Sequence, residues 1–169
     1  MNVASLDGVF LSPFLSETEG TNAFLSFFFH LSFVRQTNMG KLHLAAERGN
    51  IEECQKLLTE VVRSMKDPLG HKRNIDKIDD IGRTALHYAC RNGHYEVAKF
   101  LLDNGAMPST KTFTTGATPL HLSAKHGYGR ICKLLLERGA SKNERDIDGR
   151  TALDIATQAE KQESIDALQ

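Results

Sequence analysis

Cysteine is scarce in this sequence, and its spacing forms no recognisable framework. The 169 residues contain three cysteines, Cys54, Cys90 and Cys132, with no C-x-x-C pair among them. Small secreted scaffolds depend on even sets of cysteines that pair, so an odd and scattered set argues against a disulfide framework. We therefore expect a protein of a reducing compartment, the cytoplasm, with the nucleus as the alternative.

A surplus of charge of either sign is also absent. The sequence has 21 basic and 21 acidic residues and a formal net charge of zero at pH 7. A protein without net charge has no long-range field to attract nucleic acid or an anionic membrane surface. We therefore expect no nucleic-acid partner and no electrostatic attachment to a membrane.

The N-terminal part lacks an apolar run long enough to cross a membrane. Residues 24–34 form an aromatic run that His30 interrupts, whereas a transmembrane helix needs roughly 20 apolar residues. Acidic rather than basic residues precede this run, which argues against a secretory signal. We expect residues 1–38 to be a poorly ordered N-terminal extension. A start at Met39, a membrane anchor and a segment packed over the following domain remain the other interpretations.

Motifs for catalysis and metal binding are missing too. No Gly-rich phosphate loop of the Walker type occurs. Cys90 has His87 and His94 nearby in sequence, but no pattern brings a nucleophile, a base and an orienting group together. His43, His87 and His121 occur singly, without the second ligand that H-x-x-x-H would supply, so structural roles are favoured. We therefore predict a protein that is not an enzyme and has no catalytic residue, metal, cofactor or small-molecule substrate.

Clear helix and turn signals are present, and they begin with residues 79–106. This segment predicts a turn at Gly82, a short helix capped by Thr84, a break at Gly93, a second helix and a stop at Gly105. Two helices this short cannot close a hydrophobic core alone. The unit therefore needs neighbours of its own kind.

The sequence supplies these neighbours by repetition. Gly116 lies 34 residues after Gly82, and Gly149 lies 33 residues after Gly116, each followed by a matching helix pattern. Upstream, residues 42–49 match the first helix of the unit. The fullest copy carries Thr118-Pro119-Leu120-His121, in which proline suits the first helical position because no N–H is needed there. The period is close to the roughly 33 residues of one known repeat family.

This register closely resembles the ankyrin repeat family over about residues 39–169. The resemblance implies an all-α solenoid of about four helix-turn-helix repeats with short β-turn fingers. It also implies that His87 and His121 hydrogen-bond within and between repeats, whereas Asp154 takes their position in the last repeat and must change or lose that bond. The predicted boundaries are 39–58 for repeat one, 59–78 for an insertion loop, 79–111 for repeat two, 112–145 for repeat three and 146–169 for repeat four, which caps the array.

The resemblance also implies a function, that of a protein-interaction module. Such a scaffold or adaptor is expected to be monomeric and to bind a protein partner on a concave face made of fingers and first helices. Arg83, Tyr88 and Arg91 are the strongest candidates, because tyrosine and arginine are enriched in interface hot spots. The predicted partner-binding residues are Asp80, Ile81, Arg83, Tyr88, Arg91, Asn92, Phe113, Thr114, Thr115, Leu122, Lys125, His126, Ile147, Asp148 and Arg150.

The third finger differs from the other two. It is one residue longer and is predicted to carry Phe113 where the others carry Asp79 and Asp146. Phe113 is then either an anchor for a partner or a side chain that packs against the next turn. The insertion loop, with the basic residues His71-Lys72-Arg73, is expected to be solvated surface and a further candidate binding element.

Two other functions remain open. One is a targeting or regulatory piece of a larger enzyme, such as a ubiquitin-ligase adaptor or a kinase accessory region. The other is a membrane-associated ankyrin protein that residues 24–34 hold at the membrane. A reading frame that continues past Gln169 would favour the first, and cell fractionation would test the second.

Overall fold

The computed structural model describes residues 40–64 and 75–169, and within these ranges the chain is all-α, without a β-strand. The helices follow one another in pairs, and each pair forms one repeat. This confirms the predicted all-α repeat solenoid. The helices are α1 Lys41–Arg48, α2 Ile51–Ser64, α3 Ala85–Asn92, α4 Tyr95–Asp103, α5 Pro119–His126, α6 Gly129–Glu137, α7 Ala152–Gln158 and α8 Gln162–Leu168.

The repeats stack to give two layers of helices. The first helices of the repeats, α1, α3, α5 and α7, pack side by side as an inner layer, and the second helices form an outer layer behind them. Ala46, Ala89, Ala124 and Ala156 on the inner helices have no exposed surface. Such small side chains allow neighbouring helix backbones to approach closely.

The three cysteines lie in this core with free thiols. Cys54, Cys90 and Cys132 have no exposed surface and pack as small buried hydrophobic residues. Burial raises the pKa of the Cys54 thiol to about 11, and it also raises the pKa values of Cys90 and Cys132. Because the thiolate is the reactive form of cysteine, these residues serve packing rather than chemistry.

Inner helices α3, α5 and α7 begin with the same capping arrangement. Thr84, Thr118 and Thr151 are the N-cap residues, which confirms the prediction for Thr84. The side chain three positions later accepts the backbone N–H of the cap residue and also contacts its hydroxyl. These accepting atoms are His87 Nδ1 at 3.0 Å, His121 Nδ1 at 3.2 Å and Asp154 Oδ2 at 2.8 Å.

The histidines of the inner helices also join each repeat to the next. Because Nδ1 of His87 and His121 accepts a hydrogen bond from the cap, Nε2 carries the proton and donates to a carbonyl of the following finger. Burial lowers the pKa of His87 to about 4, so the ring is neutral at pH 7. The donated bonds are His43 to Arg83 O at 3.1 Å, His87 to Ala117 O at 3.3 Å and His121 to Arg150 O at 3.1 Å.

This histidine arrangement confirms the structural role that the family resemblance implied. Asp154 keeps the cap bond of the fourth repeat through Oδ2, but a carboxylate has no ring N–H to donate onward. The bond between repeats therefore ends where the described array ends.

The first repeat lacks one part of the arrangement. Gly40 occupies the cap position of α1, three residues before His43, so there is no side-chain hydroxyl beside the ring. His43 is 2% exposed, and its Nδ1 has no hydrogen-bond partner within the described residues. A buried polar atom without a partner costs roughly 1–3 kcal/mol.

We expect Gly40→Thr to raise the free energy of unfolding by about 1 kcal/mol, because its hydroxyl would cap α1 and donate to His43 Nδ1. Gly40 has φ −61° and ψ 152°, an extended conformation like that of Thr84, so threonine fits the backbone. A Cβ atom there would lie 3.1 Å from His43 Nδ1, so the ring must shift by a few tenths of an ångström in either variant. Urea unfolding measures the change. Gly40→Ala is the matched control, since it adds the Cβ atom without the hydroxyl. Equal stability of the two variants would contradict the interpretation.

Some predicted features fall at the edge of the described chain or outside it. Helix α2 continues to Ser64, six residues beyond the predicted end of repeat one, and Ile75 of the predicted insertion is buried in the core at 2% exposure. The N-terminal extension and the cluster His71-Lys72-Arg73 lie outside the described residues. Among the described helices, none combines the length and apolar character required of a membrane span, and residues 24–34 lie outside that part of the chain.

Candidate functional site

The turn segments between repeats, called fingers here, are residues 79–83, 112–117 and 146–150. In the first of these fingers, Asp79 Oδ1 accepts the backbone N–H groups of Ile81 at 3.0 Å and Arg83 at 2.8 Å. Asp146 closes the last finger in the same way. A carboxylate that satisfies two turn N–H groups holds the backbone in one conformation, so each finger is a defined shape rather than a free loop.

The middle finger requires a correction of the predicted register. Thr112, and not Phe113, takes the place of Asp79 and Asp146: its Oγ1 accepts from Ala117 N at 3.1 Å, and its backbone N–H donates to Ala117 O at 3.0 Å. Asp79 and Asp146 each lie three residues before the finger glycine, and the same count from Gly116 leads to Phe113. This finger has one extra residue, so the residue that accepts the turn N–H group lies four positions before Gly116. A threonine hydroxyl replaces the carboxylate there.

Adjacent fingers are tied together through their backbones. Phe113 N donates to Ile81 O at 3.0 Å, and Ile147 N donates to Thr115 O at 3.1 Å. The ring of Phe113 lies against Gly82 of the preceding finger, yet Phe113 is 67% exposed, and Ile147 is equally exposed. Phe113 thus packs on a neighbouring turn and still offers most of its surface. The fingers together present two exposed apolar side chains on a rigid backbone.

Tyr88 has a supporting position and not an exposed one. It is 5% exposed, and its hydroxyl donates to Asp79 Oδ2 at 2.6 Å. The guanidinium of Arg83 lies 5.7 Å from the centre of the Tyr88 ring. Burial, together with the bond to Asp79, raises the pKa of Tyr88 to about 12. Burial alone would raise the pKa of Asp79, but the bonds from Tyr88 and the turn N–H groups lower it, so Asp79 stays ionised as a strong acceptor.

The C-terminal ends of the inner helices carry exposed basic side chains. Arg91, Lys125 and His126 are exposed, whereas Asn92 is half-buried and donates to Glu47 O of the preceding repeat at 2.8 Å. Partial burial, followed by the charges of Arg91, Lys125 and Lys161, lowers the pKa of His126. These cations therefore lie close enough to act on one ring.

A surface pocket of about 290 Å³ lies between α5 and α7. Its lining comprises Lys125, Arg150, Ile155, Gln158 and Ala159. Sequence reasoning selected the first two of these and missed the other three. The repeat register could have found them, since Ile155, Gln158 and Ala159 each lie 33 residues after a selected residue of the third repeat.

Arg150 is already neutralised within its own finger. Its Nε and Nη2 donate to Asp146 Oδ2 at 3.0 and 2.8 Å, and its Nη2 also pairs with Asp148. Arg150 therefore shapes the pocket wall, and Lys125 is the pocket cation that has no ion-pair partner among the described residues.

The structure thus separates the predicted partner-binding residues by exposure. One of them, Tyr88, is buried, and the rest lie on fingers or on the exposed sides of inner helices. The half-buried ones are Ile81, Arg83, Asn92, Leu122 and Arg150. The exposed ones are Asp80, Arg91, Phe113, Thr114, Thr115, Lys125, His126, Ile147 and Asp148. The fingers and the exposed sides of α3, α5 and α7 are called the finger face below.

The part of the chain that the structure describes holds no group of three or more histidine, cysteine, aspartate or glutamate side chains arranged to bind a metal ion. The histidines that recur once per repeat lie in separate caps, each using both ring nitrogens or facing a cap position. Their ring nitrogens lie at the helix caps and finger carbonyls and do not converge on one point.

Comparison with known proteins gives one family. A family model described as ankyrin repeats, in three copies, matches residues 19–112 and 108–169. Ankyrin repeat domain-containing protein 39 of Homo sapiens is 59% identical over 34 residues, which cover 20% of this chain and 19% of that protein. The acyl-CoA-binding domain-containing protein 6 homolog of Dictyostelium discoideum is 39% identical over 49 residues, covering 29% of this chain and 17% of that protein.

A third relative is much longer than this chain. The transient receptor potential cation channel subfamily A member 1 of Homo sapiens is 38% identical over 66 residues, which cover 39% of this chain and 5% of the channel. The matched segments thus span less than a fifth of the length of each of these three relatives.

Proposed function

The chain belongs to the ankyrin repeat family, whose repeats generally mediate protein–protein interaction, and from this premise we propose that it is a scaffold or adaptor module. It binds a partner protein on the finger face as a monomer and carries out no catalysis. We place this role in the cytoplasm, because its described cysteines are all free thiols.

The observation that carries this proposal is the rigid presentation of exposed apolar side chains by the fingers. Phe113 and Ile147 are each 67% exposed, while the backbones that hold them are bonded to the preceding finger. The carbonyls of Arg83, Ala117 and Arg150 in these fingers also accept the histidine bonds from the preceding inner helices. A surface that is ordered before binding loses little conformational entropy when a partner docks.

Replacement of both exposed side chains tests the proposal. We expect the full-length variant carrying Phe113→Ser and Ile147→Ser to lose the proteins that the unmodified chain retains from cell lysate, since apolar anchors dominate interface energetics. Quantitative mass spectrometry of the retained proteins is the measurement. Circular dichroism of both proteins shows whether the fold is kept, as expected for side chains this exposed.

The matched control places two serines on the outer layer, Lys99→Ser and Lys133→Ser, both at exposed positions of α4 and α6. This variant should retain the same proteins as the unmodified chain. Loss of the retained proteins from the outer variant but not from the finger variant would assign binding to the outer helices and refute the proposed surface.

A further inference from the structure

Basic side chains from three consecutive repeats lie around the end of α5. Lys125 and His126 form the last turn of α5, and Lys161 reaches them from the fourth repeat: its Cδ lies 3.1 Å from the place where a Cβ on Gly127 would be. Arg91 lies in the last turn of α3 in the second repeat, and its charge adds to the partial burial that lowers the pKa of His126. A cation in the last turn of a helix is favoured by the helix dipole, but the dipole does not explain why a neighbouring repeat adds another.

Among the described residues, Arg91, Lys125 and Lys161 form no ion pair. All three are exposed. Like charges held close together repel one another, so an anionic group that binds among them gains energy from several charges at once.

The pocket between α5 and α7 adjoins this cluster through Lys125. Ile155 and Ala159 supply half-buried apolar surface to the pocket, and Gln158 is exposed beside them. Its volume of about 290 Å³ lies just under the range of about 300–1,000 Å³ that is usual for small-molecule sites. The pocket therefore suits one or two side chains of a peptide better than a complete small-molecule ligand.

On these grounds we propose that the finger face binds an acidic segment of the partner protein, with a carboxylate at Lys125 and an adjacent aliphatic side chain in the pocket over Ile155 and Ala159. This inference rests on the proposed function and names the chemistry of its partner. Arg91 and Lys161 take further acidic side chains on either side of Lys125. Gln158 offers an amide to the backbone of the bound segment.

A short acidic peptide fits this surface better than a nucleic acid does. Asp148, which pairs with Arg150 of the pocket wall, and Glu160, which precedes Lys161 in the sequence, are both exposed, and the chain has no net charge. A continuous polyanion would meet these carboxylates and be repelled, whereas a peptide with one or two acids at the right spacing would avoid them. Affinity for nucleic acid also depends on many phosphate contacts, which three cations do not supply.

Selection from a displayed library of random short peptides on the full-length chain tests the inference. We expect the recovered peptides to be enriched in aspartate and glutamate next to leucine, isoleucine or valine. Their affinity, measured by fluorescence polarisation, should fall roughly tenfold or more with Lys125→Glu, because a charge-assisted bond becomes a repulsion. Peptide affinity should fall by less with Lys125→Met, which keeps the apolar stem of the side chain. Binding should also weaken as salt is added.

Lys133→Glu makes the same charge change on the outer helix α6 and should leave peptide affinity unchanged. Recovered peptides without acidic enrichment, or equal binding by Lys125→Glu and the unmodified chain, would overturn the inference. So would single-stranded RNA that competes as well as the selected peptides. If Lys125→Glu still retains lysate proteins that the Phe113→Ser and Ile147→Ser variant loses, the acidic-segment inference fails while the protein-binding function stands.

Discussion

Replacing His87 by alanine is expected to lower the free energy of unfolding by about 2–4 kcal/mol, a large part of the stability of a domain this size. The ring has no exposed surface and joins the cap of its own helix to the next finger. Its Nδ1 serves Thr84 at the cap of α3, and its Nε2 serves Ala117 O in the next finger. Alanine would leave these polar groups unpaired in a cavity, so the loss is greater than one hydrogen bond.

The same burial makes the effect of His87→Ala depend on pH. Burial holds the pKa of His87 at about 4 in the folded chain, whereas its ordinary value is 6.5. The unfolded chain therefore takes up a proton first as the pH falls. The contribution of His87 to the free energy of unfolding is fully present above pH 6.5 and falls by roughly 3 kcal/mol as the pH approaches 4. The difference in the free energy of unfolding between the unmodified chain and His87→Ala should therefore shrink as the pH falls through that range.

Urea unfolding of both proteins at pH 7.5 and at pH 5 measures the two effects together. His126→Ala is the control, because His126 is an exposed histidine near the end of the next inner helix and should change stability by about 0.5 kcal/mol or less. Equal losses of stability in His87→Ala and His126→Ala would refute a neutral ring that makes hydrogen bonds through both nitrogens. So would a difference between the unmodified chain and His87→Ala that is larger at pH 5 than at pH 7.5.

Local signals made most of the fold predictable from the sequence. Thr84 and Pro119 mark helix starts, and Gly93 marks a break, because each acts through its own backbone or nearest neighbours. Repetition then supplied the stacking, since a helix pair that cannot close a core needs copies of itself. The roles of His87 and His121 followed from the family resemblance, and their bonds in the structure agree with it.

The candidate site was less predictable, because its residues are set by packing across repeats. The residue type made Tyr88 a candidate for partner binding, but the sequence does not show that its hydroxyl donates to Asp79 at 2.6 Å and that the ring is therefore buried. The closing role of Thr112 was hidden because the extra residue shifts the count from Gly116, and a hydroxyl replaces a carboxylate. The pocket at Lys125 arises between helices of two repeats, so no single motif encodes it.

Gly82→Ala is the other substitution from which we expect a large loss. Gly82 has φ +80°, a conformation that costs an L-residue about 1–2 kcal/mol. A Cβ there would also lie 2.8 Å from Phe113 N and 2.9 Å from Phe113 Cγ, so the next finger would have to move at a further cost of about 1–3 kcal/mol. The expected total is about 2–5 kcal/mol, measured by urea unfolding.

Two other finger glycines provide a matched series that separates backbone strain from finger contact. Gly149 has φ +77°, and its Cβ would meet nothing within 4 Å, so Gly149→Ala should cost the strain alone, about 1–2 kcal/mol. A Cβ at Gly116 would lie 3.2 Å from Ile147 Cγ2 and N, so Gly116→Ala should fall between the other two. An equal cost at all three positions would mean that the fingers do not press on one another. The rigid presentation of Phe113 and Ile147, on which the proposed binding depends, would then lose its physical basis.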